Sequence, residues 1–175
     1  MRDTISATIR SDEGFYVGDI CYVLGNEIYY GVWGEKYNFR EGSIQDPESG
    51  RVLAVAGTAY GDGSYIGSDG TSFSVDAGVI GLVPLELVGK PGGLNEGKVV
   101  RVPGRAIFWA EDGKFEITFP DDSVLTIDTS DETGYGEGWD EWASCVPCFI
   151  TEIGSCSPTP SKGRSRRNRR RLSRF

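Results

Sequence analysis

The stretch that decides the fold class of this chain is Arg105–Asp128, RAIFWAEDGKFEITFPDDSVLTID. It divides into three short runs separated by two polar turns: Arg105–Ala110, Lys114–Phe119 and Ser123–Asp128. Phe115, Ile117 and Phe119 alternate with polar residues, which is the pattern of a strand with one buried face. We therefore predict an antiparallel meander with one face in the core and one in solvent.

Strand signals continue toward the N-terminus. Alternation predicts a half-buried strand over Thr4–Arg10, and continuous apolar runs predict buried strands over Arg51–Thr58 and Val79–Val83. The turn Ser68-Asp-Gly70 predicts a hairpin leading into Ser72–Val75, because Asp-Gly tolerates the positive φ of a tight turn.

Helical signals are few. Asn26–Trp33 predicts one short helix with Asn26 as its N-cap, whereas the polar stretches Glu35–Gly50 and Lys90–Gly97 predict loops. The fold class expected is mainly β, α+β at most. The expected architecture is an antiparallel sheet, or a small barrel or sandwich, with one short helix and a disordered C-terminal tail.

The charge of the chain is divided between two parts. Residues 162–174 carry eight Lys and Arg and no acid, so this tail has a formal charge of +8. The remaining 10 basic and 26 acidic residues give −16, so the overall −8 averages two opposite regions. We predict an acidic β-rich globular domain over 1–156 and an Arg-rich tail over 157–175.

The sequence contains no histidine, which excludes Ser-His-Asp and Cys-His catalysis, histidine-containing zinc sites and imidazole pH switches. The N-terminus lacks the pattern of a secretory signal and no apolar run is long enough to span a membrane. Four cysteines without that signal are read as reduced thiols. We therefore expect no membrane contact, no cofactor and a cytoplasmic location, the host cytoplasm if the gene is carried by a phage.

Five segments, in this order, resemble a group of uncharacterised proteins found in tailed phages and bacteria: Gly18-Asp-Ile-Cys-Tyr22, Val32-Trp33-Gly34, Gly57-Thr-Ala-Tyr-Gly-Asp-Gly-Ser-Tyr65, Asp76-Ala-Gly78 and Ile80-Gly-Leu-Val-Pro84. The group is recognised by its Thr-Ala-Tyr-Gly-Asp-Gly core followed by Asp-x-Gly-x-Ile-Gly-x-Val-Pro. The resemblance covers residues 15–88 and implies a phage or bacterial origin, without implying an activity.

Three aspartates in that region are candidates for a carboxylate site: Asp19, Asp62 and Asp76. Each lies beside a glycine or another small residue at a strand end. Brought together, they would suit Mg²⁺ or general acid–base catalysis. The alternative, which we favour, is that each one caps a backbone turn through its side chain.

The cysteines offer a second set of alternatives. Cys145-Val-Pro-Cys148 is a CxxC unit, and Cys156 follows eight residues later. With Cys21 they would complete a zinc site, or the CxxC would form a redox pair. Cysteine as a small apolar residue is the interpretation we favour.

The tail arginines give the most direct functional signal: Arg164, Arg166, Arg167, Arg169, Arg170, Arg171 and Arg174. Such arginines contact the phosphates of nucleic acid and release counterions, which gives an affinity that depends on the salt concentration and is independent of base sequence. The alternative is a solvated tail folded back on the acidic body.

Aromatic residues form a further cluster in the sequence: Tyr29, Tyr30, Trp33, Tyr37, Trp139 and Trp142. They are read either as an exposed recognition patch or as core packing.

These observations favour a non-enzymatic phage or bacterial accessory binding protein whose tail contacts nucleic acid or another polyanion, a protein partner being an additional expectation. Two alternatives stay open. One is a carboxylate-based, Mg-assisted enzyme using the three aspartates. The other is an acidic decoy that occupies a host DNA-binding or defence protein.

Overall fold

The computed structural model describes residues 3–130. The predicted boundary at residue 156, the tail, the CxxC cysteines with Cys156, Trp139 and Trp142 all lie outside the described residues. Within 3–130 the strands are β1 Ile5–Ser11, β2 Phe15–Gly18, β3 Gly42–Gln45, β4 Val52–Gly57, β5 Gly63–Ile66, β6 Ser72–Val75, β7 Val79–Pro84, β8 Lys98–Val100, β9 Gly104–Glu111, β10 Lys114–Thr118 and β11 Val124–Asp128.

The predicted meander is confirmed and forms most of a four-stranded antiparallel sheet with the order β1-β9-β10-β11. Phe115 on the central strand β10 pairs with Ala110 on one side and Ile127 on the other, and all three are buried. The predicted N-terminal strand, β1, pairs with β9 over the whole range from Ile5↔Ala110 to Ser11↔Gly104. The alternating residues of β1 thus extend the same buried and solvated faces.

A second antiparallel sheet has five strands in the order β3-β4-β7-β2-β8, and the predicted hairpin forms as the pair β5-β6. The central strands β4 and β7 are apolar on both faces. Leu53 and Val55 face one core, whereas Ala54 and Ala56 face the other. Burial on both faces explains why these strands read as continuous apolar runs rather than as alternating ones.

The two cores define three layers. The first core joins the inner face of the four-stranded sheet to one face of the five-stranded sheet, with Phe108, Ile117 and Leu82 among its members, and the β5-β6 hairpin also packs into it. The second core lies between the other face of the five-stranded sheet and a helical segment that contributes Ile20, Leu24, Val32 and Trp33. The five-stranded sheet is therefore the middle layer.

The helical segment begins with a 3-10 turn, Ile20–Tyr22, and continues as α1 Asn26–Ile28, a π-helical stretch Tyr29–Gly34 and α2 Glu35–Tyr37. The predicted helix is thus found and extends to Tyr37, but the predicted cap is wrong. Gly25 occupies the N-cap position and Asn26 is the first helical residue, with no side-chain cap. Two more 3-10 turns, Leu85–Leu87 and Pro91–Glu96, follow β7.

The two predicted loops are wrong in part. The stretch Glu35–Gly50 contains α2 and the edge strand β3, in which Ile44 is buried opposite Leu53. A single inward apolar residue in a strand of four gives too little alternation to be recognised in a sequence. The stretch Lys90–Gly97 contains the 3-10 turn Pro91–Glu96.

The fold class predicted from the sequence is confirmed: the described part of the chain is mainly β, all of its strand pairings are antiparallel, and its helices are short. None of the helices in residues 3–130 has the length and apolar character needed to cross a membrane.

Candidate functional site

The Asp19 carboxylate connects two of the segments on which the resemblance is based, Gly18–Tyr22 and Asp76–Gly78. Asp19 follows β2 and caps the 3-10 turn Ile20–Tyr22, since its Oδ1 accepts a hydrogen bond from the Cys21 N–H at 2.9 Å. Its Oδ2 accepts from the Asp76 N–H at 2.7 Å and the Ala77 N–H at 2.6 Å. The side chain is fully buried. Three backbone donors therefore bond to both oxygens of a buried acid. Two of these bonds link Asp19 to residues that are 57 and 58 positions further along the chain.

We call this arrangement of Asp19, Cys21, Asp76 and Ala77 the Asp19 junction. The residues around the Asp19 junction are also closely packed. Gly81 of β7 lies under Ile20, and a Cβ at Gly81 would come within 2.6 Å of Ile20 Cγ2 and 2.7 Å of the Ala54 carbonyl oxygen. Only glycine allows this approach without a shift of the sheet or the turn.

Asp76 presents a different environment. It is exposed, and its carboxylate lies close to the Tyr22 hydroxyl. Burial of the phenol, followed by the hydrogen-bonding influence and the charge of Asp76, raises the pKa of Tyr22 well above its ordinary value. Tyr22 therefore stays a neutral hydrogen-bond donor at physiological pH.

Asp62 lies in the Gly61-Asp62-Gly63 turn, which was predicted to be capped by this aspartate. The turn is held by other groups. The Thr58 hydroxyl donates to the Gly61 carbonyl oxygen at 2.7 Å and accepts from the Gly61 N–H at 2.8 Å. The Tyr65 hydroxyl donates to the same carbonyl at 3.0 Å. Threonine hydroxyls bond the local backbone of turns, so Thr58 just before this glycine-rich segment was the signal available in the sequence.

The structure brings the three predicted aspartates to one segment, residues 76–78. Asp19 bonds to the backbone there, Asp76 belongs to it, and Asp62 Oδ1 lies 3.8 Å from the place a Cβ on Gly78 would take. They do not form a metal site, because no group of three acidic or cysteine side chains in residues 3–130 is arranged to hold a metal ion. Turn capping, the alternative favoured from the sequence, describes Asp19.

Cys21 is the one cysteine among the described residues. Burial and the adjacent Asp19 carboxylate, to which the thiol is hydrogen-bonded, raise the pKa of Cys21 to about 12. Lys90 lies nearby and donates from Nζ to the Cys21 carbonyl oxygen at 3.1 Å, but its charge does not outweigh these effects. A thiol that stays protonated is a poor nucleophile and a poor metal ligand.

The aromatic cluster divides between core and surface. Trp33 is buried, whereas Tyr30 is 57% exposed. Phe39 was not recognised from the sequence as a member of this cluster; it is 49% exposed and packs edge-on against Trp33 with ring centroids 5.1 Å apart. Phe39 has a left-handed backbone (φ 56°), held by its N–H donating to the Trp33 carbonyl oxygen at 3.0 Å. Its ring lies over Gly34, where a Cβ would approach to 2.7 Å.

Comparison with family models, with curated proteins and with solved structures gives no match to this chain. The resemblance to the phage and bacterial group therefore stays a prediction from the sequence. Among residues 3–130, the geometry around the aspartates supports a structural role for Asp19 and leaves charge as the main functional signal.

Proposed function

We propose that this chain is a non-enzymatic binding protein, in which an acidic β body carries an arginine-rich arm that contacts nucleic acid. The single observation that carries the proposal is the division of charge. The arm, residues 157–175, holds +8 with no acid, whereas residues 3–130 hold twenty acidic and nine basic residues, a formal −11. We further propose, from the resemblance alone, that the protein is an accessory protein of phage or bacterial origin.

The physical argument is electrostatic. Arginines bind phosphate oxygens through paired N–H donors and displace the counterions condensed on nucleic acid, so the affinity falls as salt rises. A body of the opposite sign repels the same polyanion, which favours contact through the arm. The acidic body also competes with nucleic acid for the arm. This competition weakens nucleic-acid binding, but the logarithm of the affinity still falls linearly with the logarithm of the salt concentration.

Two features of the body support a binding protein over a carboxylate-based enzyme. Asp19 is fully buried and both of its oxygens accept backbone hydrogen bonds, so it is not placed to receive a metal or substrate from solvent. The raised pKa of Cys21 leaves no thiolate beside it. The other two aspartates, Asp62 and Asp76, are exposed, and residues 3–130 provide no third acidic or cysteine side chain arranged with them to hold a metal ion.

The test compares the full chain with two variants of the arm. In the first, the seven arginines from Arg164 to Arg174 are changed to Gln; in the second, the same seven are changed to Lys, which keeps the charge. Binding to labelled single-stranded and duplex oligonucleotides is measured by fluorescence anisotropy between about 50 and 200 mM salt.

We expect log Kd of the native chain to vary linearly with log salt. The Lys variant should keep most of that slope, and the Gln variant should lose most of it, because the slope counts neutralised phosphates. Equal binding by the native chain and the Gln variant would overturn the role of the arm. Capture of a DNA-binding host protein that survives nuclease treatment and loss of the arm charges would favour the decoy alternative.

A further inference from the structure

A pair of arginines lies on the outer face of the four-stranded sheet. Arg10 of β1 and Arg105 of β9 are directly opposite each other in the register, and both are exposed. Side chains of directly opposed residues share one face of a sheet, with Cβ atoms about 5 Å apart. Like charges in this relation repel each other and destabilise the pairing of the strands.

No carboxylate compensates this arginine pair in the described part of the chain. The ion pairs in residues 3–130 join Arg51 to Asp12 and Glu86, and Lys98 to Asp69. Asp12 lies close enough to Arg10 to feel its charge, but the Asp12 carboxylate is bonded to Arg51 Nη2 at 2.7 Å. The body is strongly acidic, yet at this place it keeps two adjacent cations without an ion-pair partner.

Lys114 shows the contrasting case on the same sheet. It is exposed on β10, and its register partners are Glu111 on β9 and Asp128 on β11. A carboxylate therefore lies directly across from it on each neighbouring strand, although neither forms an ion pair with it, and this alternation of sign is favourable between strands.

A cleft of about 300 Å³ lies beside the arginine pair, and its lining is Thr8, Arg10, Ser49, Gly50, Arg51 and Val52. The Arg51 guanidinium is held in place by Asp12 at 2.7 Å and by Glu86 at 3.1 Å. Arg10 of β1 and Arg51, which immediately precedes β4, thus border one opening at the lower end of the size range of small-ligand sites, and Arg105 lies across the strand pair from Arg10. The planar fork of Arg matches the oxygens of a phosphate group.

We propose that Arg10 and Arg105, with the adjoining cleft, form a phosphate-binding site on the body, and that this site takes backbone phosphates of the nucleic acid held by the arm. The inference rests on the proposed function. It adds a second, fixed contact to the arm, so that one polyanion bridges both. A phosphate bound between the two arginines would remove their mutual repulsion. In the free protein this repulsion lowers the stability of the folded state by a small amount.

The test uses single substitutions in the full chain: Arg10→Gln, Arg105→Gln and, as the matched control, Lys114→Gln. Each removes one positive charge from the outer face of the same sheet. Arg51 is left unchanged, because its loss would leave Asp12 and Glu86 without their partner. Oligonucleotide affinity is measured as a function of salt, and the Tm of each variant is recorded.

Each Arg variant should reduce the salt slope by about 0.7 with single strands or about 0.9 with duplex, the value of one phosphate contact. Lys114→Gln should leave the slope unchanged. The Tm of the Arg variants should stay level or rise, which separates lost binding from lost folding.

The outcomes of this test and of the arm test are distinct. If the native chain binds and only the arm variants change its slope, the body site is overturned and the proposed function stands. If Lys114→Gln lowers the slope as much as the Arg variants do, the effect is one of net charge and the site is overturned. If the native chain binds no oligonucleotide, both are overturned.

Discussion

The Asp19 junction and the arginine pair show two opposite treatments of charge in one small protein. Asp19 is fully buried, and three backbone N–H groups bond to its two oxygens at 2.6–2.9 Å. Arg10 and Arg105 are exposed side by side, and within residues 3–130 neither has an ion-pair partner. The buried carboxylate has its hydrogen-bond donors within the fold, whereas we propose that the exposed arginine pair gains its partner only when an anion binds.

The difference indicates which of the two charged sites is structural and which is a candidate for binding a ligand. Asp19 is buried and both of its oxygens accept backbone hydrogen bonds, so it stabilises the fold, even though its position beside a glycine had made it a candidate for a catalytic site. An exposed pair of like charges costs stability and is retained without local compensation, which suggests a ligand. The following substitutions test this contrast, beginning with the largest expected effect.

Asp19→Ala should have the largest effect on stability. It leaves the partly buried N–H groups of Cys21, Asp76 and Ala77 without their acceptor and removes a fully buried side chain. We expect a loss of about 3 kcal/mol in the free energy of unfolding, measured by urea denaturation. Asp62→Ala, in an exposed turn, is the control and should change stability by less than about 0.5 kcal/mol. Equal effects of the two would contradict the structural role of Asp19.

Gly81→Ala tests how tightly the junction is packed. The added Cβ would lie 2.6 Å from Ile20 Cγ2 and 2.7 Å from the Ala54 carbonyl oxygen. We expect a loss of about 2 kcal/mol from overpacking. Gly92→Ala is the matched control, because a Cβ there meets nothing within 4 Å. Both substitutions change the unfolded chain alike, so the difference between their urea midpoints isolates the native-state clash.

Asp69 is the intermediate case, an exposed charge that does have partners. Burial alone would raise the pKa of Asp69, but hydrogen bonds from Lys98 and Thr71 outweigh it and lower the pKa to about 2. A pKa lower in the folded than in the unfolded state contributes stability above pH ~4 that is lost as the pH falls toward 2.

Asp69→Asn should therefore cost about 1 kcal/mol at pH 7, after allowance for solvent screening. The difference from the native chain should become small near pH 2 and vanish below it. Thermal unfolding across this pH range checks the expectation, and Asp62→Asn serves as the control. A deficit that persists unchanged at pH 2 would show that the charge of Asp69 is not the cause.

Arg105→Gln should have the smallest effect, and in the opposite direction. Removing one member of the like-charged pair relieves the cross-strand repulsion, so stability should rise by about 0.3 kcal/mol at low salt. The gain should shrink as salt screens the two charges. Urea unfolding at two salt concentrations tests this, with Lys114→Gln expected to change stability in the other direction because it removes a compensated charge. A loss of stability in Arg105→Gln would mean that the pair is already neutralised within the protein.

The sequence predicted the strands whose pattern is local. The meander of β9, β10 and β11 follows from alternation and from its two polar turns, and β4 and β7 follow from their apolar runs. Edge strand β3 was missed because one buried isoleucine, Ile44, gives no periodic signal. The helix from Asn26 was found, but its π-helical part and the left-handed Phe39 depend on packing between aromatic rings rather than on propensity.

The candidate sites divide in the same way. The sequence favoured turn capping for all three aspartates alike but did not show which of them caps, because the bonds of Asp19 include the N–H groups of Asp76 and Ala77, far along the chain. The arginine pair gave no signal at all. Arg10 and Arg105 are separated by most of the described chain and become neighbours only when β1 pairs with β9.

The fold class and the division of charge between body and arm follow from the sequence, because periodicity, turn residues and formal charge are local properties. Which strands are neighbours, which aspartate is hydrogen-bonded in the interior and which arginines face each other became known from the folded structure. Those relations arise from the register between distant strands, and register is decided by the packing of two shared cores rather than by any one segment.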